Sequence, residues 1–252
     1  MRIARAIRNV AIVLVAVTLA AALVLYVQAA RVPAYYRPAQ LSAEQKNSAV
    51  KEFWSKVQDF GNDAQNAEPY EWSVSGEQLN RYLASADEIA SSTPVGEPGQ
   101  VYRQLHAAGL AEPAVHLGEG TVTLMVRSRE HQKILSAELA LDMTDAGRLR
   151  VRLVAARIGC LALPSSWVDH RLDEVKRLLP AGPRPDLRQA GISGLSAQDV
   201  AAVLGRVLAA VGEEPIPPEL TWPINRKRVR IADVRIRDGR LTLRVVPIDR
   251  RR

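Results

Sequence analysis

The longest apolar run in the chain covers residues 9–30, in which no side chain carries a charge. Val, Ala, Leu and Ile dominate this run, and it lacks the polar stripe of a helix that packs on a soluble core. The hydrocarbon core of a bilayer needs roughly 20 apolar helical residues, and a helix satisfies its backbone polar groups internally. The pattern therefore predicts a transmembrane helix at 9–30.

The charges beside this run predict its orientation. Residues 1–8 carry three arginines, whereas Arg31 and Arg37 are the nearby basic residues that follow the run. Because basic residues concentrate on the cytoplasmic side of a membrane, we expect residues 1–8 to form a cytoplasmic stub. The chain from Arg31 onward is then extracytoplasmic, and the protein is a single-pass protein of the inner membrane.

A cleaved signal peptide is the alternative, because Val27-Gln28-Ala29 offers small residues at a possible cleavage site. The apolar regions of signal peptides usually run about 7–15 residues. The longer run from Val10 to Val27 favours a retained anchor. Under both interpretations the remainder of the chain is exported to the envelope.

Two capping boxes mark helix starts in the exported part. In each of them a serine hydroxyl accepts from the third helical amide, and a glutamine side chain reaches back to the serine amide. The first box, Ser42 with Gln45, opens an amphipathic helix that Gly61 is expected to end, and its apolar stripe predicts docking on the protein core. The second box is Ser75 with Gln78.

The segments around the second box predict a strand and a loop. Tyr70, Trp72 and Val74 alternate with polar residues, as in a short strand that runs directly into the second helix. The stretch from Ala90 to Gln104 is rich in Ser, Pro and Gly and is expected to form a surface loop.

The centre of the chain alternates with a period of two residues, which predicts an antiparallel meander. A two-residue turn at Glu119-Gly120 and a three-residue loop at 145–147 keep the apolar residues of successive strands on one face. This register places Leu141 opposite Val151. In the two strands that the 145–147 loop connects, the apolar face is expected to contain Leu135, Ala137, Leu139, Leu141, Met143, Leu149, Val151, Leu153 and Ala155.

The remaining pattern completes the predicted fold. Two further amphipathic helices run from Ser166 to Leu179 and from Ser196 to Val211, and a final hairpin turns at Asp238-Gly239. The prediction is an α+β domain over residues 42–252, connected to the transmembrane helix by a linker at 31–41. In this domain four amphipathic helices cover one face of the antiparallel meander sheet.

The positive charge of the chain is concentrated near its end. The net charge is +7, and residues 226–252 contain eleven basic and three acidic side chains. Such a segment suits an anionic membrane surface, with Arg250, Arg251 and Arg252 as the candidate contacts, although a solvated strand face explains it equally well. Nucleic acid is excluded as a partner because the chain is exported and no aromatic residue interleaves these arginines.

Candidate chemistry is sparse. The single cysteine, Cys160, excludes an internal disulfide and is expected to be a small buried residue. The four histidines lack metal-ligand spacing, and His170 with Asp173 is more typical of a surface pair than of a catalytic dyad. The sequence therefore predicts no metal, no cofactor and no enzymatic activity.

Three segments resemble the YpmS-like family of membrane-anchored bacterial proteins. They are Ser75–Asn80 at a helix start, Gly159–Pro164 after the meander, and the hairpin from Ile231 to Val246. The resemblance implies an exported sheet-and-helix domain, distantly related to tubular lipid-binding folds, and it carries no catalytic residues.

Two functions follow from this organisation. The first is binding of a lipid or another apolar ligand between the sheet and its covering helices. The second is a non-catalytic envelope scaffold that recruits a protein partner through loops such as Pro94–Gly99 and Pro215–Pro218. The ligand would contact a set of residues that we call the aliphatic face: Val122, Leu124, Leu139, Leu141, Val151 and Leu153.

Overall fold

The computed structural model describes residues 17–66, 68–92, 98–166, 168, 218–221 and 228–248, which form an α+β structure. Among these residues, no helix is both long enough and apolar enough to cross a membrane. The helices are α1 (residues 17–30), α2 (Ala43–Asp63), α3 (Gly76–Ala84), α4 (Ala86–Ser91) and α5 (Gln100–Ala107). The strands are β1 (Tyr70–Ser75), β2 (Leu110–Leu117), β3 (Thr121–Ser128), β4 (Ile134–Met143), β5 (Leu149–Ile158), β6 (Leu161–Ala162), β7 (Glu219–Thr221), β8 (Arg228–Arg237) and β9 (Arg240–Ile248).

The strands form two antiparallel sheets, whereas the sequence predicted a single meander sheet. Sheet A has the order β1-β9-β8-β7, and sheet B has the order β2-β3-β4-β5-β6. The early strand β1 pairs along its whole length with β9, from Tyr70 opposite Val245 to Ser75 opposite Arg240. The final hairpin therefore belongs to sheet A, in which β1 is the edge strand and pairs with β9.

Helix α2 packs on sheet A, as its apolar stripe predicted. Phe60 and Ala64 are buried against Val229 and Val245, and the Phe60 ring meets Trp72 edge to face at 6.1 Å. The Ser42 capping box is confirmed. Gly61 was expected to end the helix, and this was wrong. The Ala64 amide still donates to the Phe60 carbonyl at 2.9 Å, so the hydrogen-bond ladder continues past the glycine.

The Ser75 capping box is also confirmed, but the predicted loop after it contains a helix. Helix α5 begins after Gly99, inside the stretch that was expected to be a surface loop. The carboxylate of Asp87, on α4, accepts from the amides of Val101 and Tyr102 at 2.8 and 3.2 Å. An N-terminal cap supplied by another helix is invisible to a search for local capping residues.

Sheet B confirms most of the predicted register. The Glu119-Gly120 turn, the 145–147 loop and the pairing of Leu141 with Val151 all occur. A bulge in β5 then changes the parity, because Glu138 pairs with Ala155 while Leu139 pairs with Leu153. Ala155 therefore lies on the opposite face from the one predicted.

The two sheets contact each other between β4 and β8 and near their turns. The Gly120 amide donates to the Ile236 carbonyl at 2.9 Å, and the Gly76 amide donates to the Gly239 carbonyl at the same distance. The predicted hairpin at Asp238-Gly239 is confirmed, and both residues have positive φ angles of 52° and 66°. This left-handed conformation is the one that two-residue hairpin turns favour.

The described helices do not form a layer on one face of the meander. Helices α3 and α5 pack against the edge strand β2, while α2 covers sheet A. Strand β1 connects α2 to α3 and belongs to sheet A, and its Tyr70 and Trp72 pack against Phe60 of α2. Most of the helix predicted at 166–179, and all of the one predicted at 196–211, lie outside the described residues.

Candidate functional site

The structure brings the six residues of the aliphatic face together on strands β3, β4 and β5. Leu139 and Val151 are buried, with 5% and 6% of their surface exposed. Leu124, Leu141 and Leu153 are half-buried and pack around them. Val122 is half-buried and lies directly opposite Leu139 in the register. The face thus has a dry centre and a partly accessible border.

The opposite face of sheet B is covered by the predicted linker. Tyr36 is buried with Ala114, Met125 and Ile134, and its hydroxyl donates to the Glu112 carbonyl at 2.8 Å. Burial raises the pKa of the Tyr36 hydroxyl. Residues 31–41 were expected to be an extended spacer. Instead, part of this segment forms one layer of the domain core, which its paired tyrosines could have indicated.

A cleft of about 730 Å³ lies where the linker, helix α3, strand β2 and the final hairpin meet. Asn80 fixes α3 to β2, because its amide donates to the Val115 carbonyl at 2.8 Å and accepts from the Val115 amide at 2.7 Å. The Tyr35 ring stacks on His116 at 5.2 Å. The cleft is lined by Tyr35, Arg37, Ala39, Gln40, Leu41, Gln45, Gly76, Glu77, Asn80, Arg81, Val115, His116, Leu117 and Gly239.

The wall of this cleft mixes apolar side chains with charged and amide side chains. Arg81 is paired with Glu52 at 3.0 Å, whereas Arg37, Gln40 and His116 are exposed residues of the lining. Sequence reasoning missed the cleft because its walls come from four distant segments.

Cys160 is exposed, so the prediction of a buried thiol was wrong. It lies in the tight turn between β5 and β6, and the apolar residues that flank it, Ile158 and Leu161, pair with each other. Its amide donates to the Gln28 carbonyl at the end of α1, at 2.9 Å. Lys133, from the loop between β3 and β4, places its ammonium 4.7 Å from the Tyr26 ring centre.

Sheet A carries an arginine face on the side that points away from α2. Arg237 lies directly opposite Arg240, and within the described residues neither makes an ion pair, whereas Arg235 pairs with Asp233 at 2.7 Å. Arg250, Arg251 and Arg252, the predicted anionic-surface contacts, lie outside the described residues. The exposed members of the arginine face are Arg230, Arg235, Arg237, Arg240 and Arg244.

In the part of the chain that the structure describes, no cluster of three metal-ligating side chains occurs. His131 and Glu130 form a loose, exposed pair at 3.9 Å. His170, with its neighbouring aspartates, lies outside the described ranges. Burial raises the pKa of both Tyr82 and Tyr102 to about 12.

No family model, no curated protein and no solved structure matches the chain.

Proposed function

We propose that the chain is a single-pass, membrane-tethered module that acts outside the cytoplasm and binds a lipid or another apolar ligand on its aliphatic face. The observation that carries this proposal is the half-buried set of leucines around Leu139 and Val151. The proposal includes no catalytic step, and the resemblance to the YpmS-like family is compatible with it.

The described part of α1 supports the tether. Its large apolar side chains are exposed all around the last turns: Val24 is 56% exposed, Leu25 51%, Tyr26 65% and Val27 55%. Exposing that much apolar surface to water is unfavourable by about 25 cal/mol for each Å². A lipid environment removes this cost. The charge-free run at 9–30 is long enough to provide the full span.

The partly exposed border of the aliphatic face supports the proposal that this face binds a ligand. An acyl chain laid against Leu124, Leu141 and Leu153 removes apolar surface from water on both partners, which favours binding in proportion to the area buried. The main contacts of the described helices α3 and α5 are with β2, and α2 packs on sheet A, while β4 also contacts β8.

Photo-crosslinking to lipid tests the proposal. The full chain is reconstituted in vesicles of phosphatidylcholine that carry a diazirine on one acyl chain, and the crosslinked peptides are mapped by mass spectrometry. We expect crosslinks in residues 9–30 from the tether and a second set in β3, β4 and β5. Crosslinks confined to residues 9–30 would contradict a ligand site on the aliphatic face.

Two variants sharpen this experiment. Replacing Leu141 and Leu153 with glutamine keeps similar volume but makes the border polar, so the second set of crosslinks should fall while the tether crosslinks stay. Val154→Gln is the matched control. Val154 is 52% exposed and has no partner in β4, so its change should leave both sets intact.

The alternative function, a non-catalytic envelope scaffold, is favoured by the arginine face. Like charges that lie directly opposite on a sheet destabilise it, so the Arg237–Arg240 pair suits an acidic partner. A photoreactive residue at Thr242, which lies between these arginines and Arg244, would then form a discrete protein adduct in cells. The adduct should disappear when Arg237 and Arg240 are replaced by glutamate.

A further inference from the structure

The end of α1 is capped by a turn that is distant in the sequence, the turn between β5 and β6. The last carbonyls of a helix have no partner within the helix. Here the Cys160 amide donates to the Gln28 carbonyl at 2.9 Å, and the Arg31 amide returns to the Val27 carbonyl at 3.0 Å. The β5–β6 turn therefore seats directly on the helix end.

Gly159 makes this seat possible. Its φ angle is 59°, and a Cβ at this position would lie 2.5 Å from the Ala29 carbonyl oxygen and 2.7 Å from that of Arg31. Any side chain would have to push the helix end and the turn apart. The contact thus depends on backbone that approaches more closely than any residue other than glycine permits.

The chain that follows α1 allows little slack. Pro33 is buried and Tyr36 is buried against sheet B, only a few residues after the helix ends. Sheet B is consequently held to α1 at two places, the Gly159-Cys160 turn and the buried linker. These two attachments set the orientation of sheet B relative to the axis of α1.

We name four basic residues near this junction the basic rim: Arg31, which follows α1, and Arg129, His131 and Lys133, from the loop between β3 and β4. Tyr26, whose ring Lys133 approaches, is 65% exposed on the last turns of α1. Tyrosine favours the interface between hydrocarbon and water, and lysine beside it reaches the head groups. Glu130 is the acidic residue in this loop, so the rim keeps a positive surplus.

We propose that the basic rim is the surface by which the domain rests on the bilayer, in contact with anionic phospholipid head groups. This inference rests on the tether in the proposed function. Sheet B then stands away from the membrane, and the loop at 145–147 lies at the distal end of β4, up to about 30 Å farther out, since a strand extends about 3.3 Å per residue. The aliphatic face runs along the same strands, from the bilayer outward.

Depth-dependent fluorescence quenching tests this orientation in the full chain. A nitrobenzoxadiazole label is placed on His131→Cys or, as the distal control, on Ala146→Cys, each with Cys160→Ser so that the label site is unique. The vesicles contain equal amounts of phosphatidylcholine and phosphatidylglycerol, with a head-group spin label as quencher. We expect severalfold stronger quenching at position 131 than at 146.

The outcomes separate this inference from the tether. A chain that fails to float with the vesicles refutes both the tether and the orientation. A chain that floats but shows equal quenching at positions 131 and 146 refutes the orientation alone.

Variants of the basic rim and of Gly159 identify what sets the orientation of the domain. Replacing Arg129 and Lys133 with glutamate should weaken quenching at position 131, whereas replacing Arg148 and Arg150, exposed near the distal loop, should not. Gly159→Val should leave flotation intact while quenching at 131 falls toward the value at 146. If the rim variants and Gly159→Val leave the quenching unchanged, neither the basic rim nor the glycine seat sets the orientation.

Discussion

Asn80 uses both ends of its amide group to hold helix α3 against the edge of sheet B. It donates to the carbonyl of Val115 and accepts from the amide of the same residue, so it replaces the neighbouring strand that an edge residue lacks. Edge strands expose such backbone groups, and an unpaired group in a half-buried position is unfavourable. One side chain therefore positions a helix and also closes a sheet edge beside the cleft.

Replacing Asn80 with leucine should lower the free energy of unfolding by about 1–3 kcal/mol, because both Val115 groups lose their partner. Asn80→Asp keeps the acceptor and should cost less. Urea unfolding of the full chain in detergent, followed by tryptophan fluorescence, measures the change. Asn47→Leu, at an exposed site on α2, is the control and should stay within about 0.5 kcal/mol of the native chain. Equal effects at the two sites would refute this role for Asn80.

At the scale of elements, α2 is held to sheet A mainly by aromatic packing. Phe60 is 8% exposed and meets the rings of Tyr70 and Trp72 edge to face, at 5.6 and 6.1 Å. Edge-to-face pairs add to the gain from buried area. The helix start at Ser42 is a local feature, whereas its docking depends on this contact.

Phe60→Ala should destabilise the protein by about 3–5 kcal/mol, as expected when a buried aromatic side chain is removed and a cavity remains. Phe60→Leu keeps most of the apolar bulk and should cost less than half as much. The urea midpoints of the two variants provide the comparison. A loss below about 1 kcal/mol for Phe60→Ala would mean that α2 is docked by other contacts.

The tyrosines of α3 and α5 predict the response of the helices to alkaline pH. Burial, reinforced by Glu52 beside Tyr82 and by Asp87 beside Tyr102, raises the pKa of each hydroxyl to about 12 in the folded chain. An unfolded tyrosine loses its proton near pH 10. Above that pH the unfolded state binds fewer protons than the folded state, so stability must fall as the pH rises.

We therefore expect the stability from these two groups to be complete below about pH 10 and to be lost between about pH 10 and 12. Urea midpoints measured at pH 8, 10 and 11, with tyrosine ionisation followed by absorbance, test this window. Replacing Tyr82 and Tyr102 with phenylalanine should flatten the decline. A decline of the same slope in the double variant would place its cause in other groups.

At the scale of the whole molecule, the two sheets have separate cores, and they contact each other at their turns and between β4 and β8. Val245 is fully buried in sheet A, and Val151 is buried in sheet B. Sheet A unites β1 with β9, which are separated in the sequence by all of sheet B. A disturbance in one core should therefore reach strands that are distant in sequence before it reaches the other sheet.

Hydrogen exchange can detect this division. Val245→Ala should lower the protection of β1 amides together with those of β9, at a cost of about 2 kcal/mol for two methylene equivalents and a small cavity. Val151→Ala should lower protection in β4 and β5 instead. If Val245→Ala left β1 protected and exposed β4, the pairing of β1 with β9 would be wrong.

Bulges, remote caps and exposed turns explain where sequence reasoning failed. Side-chain parity placed Leu139, Leu141 and Val151 on one face, but it could not locate the bulge that reverses Ala155. Cys160 was predicted to be buried because its neighbours Ile158 and Leu161 are apolar, but these residues flank a turn in which the cysteine is exposed. The cleft escaped notice since its residues are scattered from Tyr35 to Gly239. Each failure involves a partner that is far away in the sequence.

The sequence by itself determined the features whose hydrogen bonds close within a few residues. These are the two capping boxes, the turns at Glu119-Gly120 and Asp238-Gly239, and the alternation that makes each strand apolar on one side. Tertiary structure decided which strands became neighbours, how the linker was buried, and which turn capped α1. The physical reason is that local geometry is specified by nearby residues, whereas strand pairing and packing are selected among distant segments by the total apolar area that they bury.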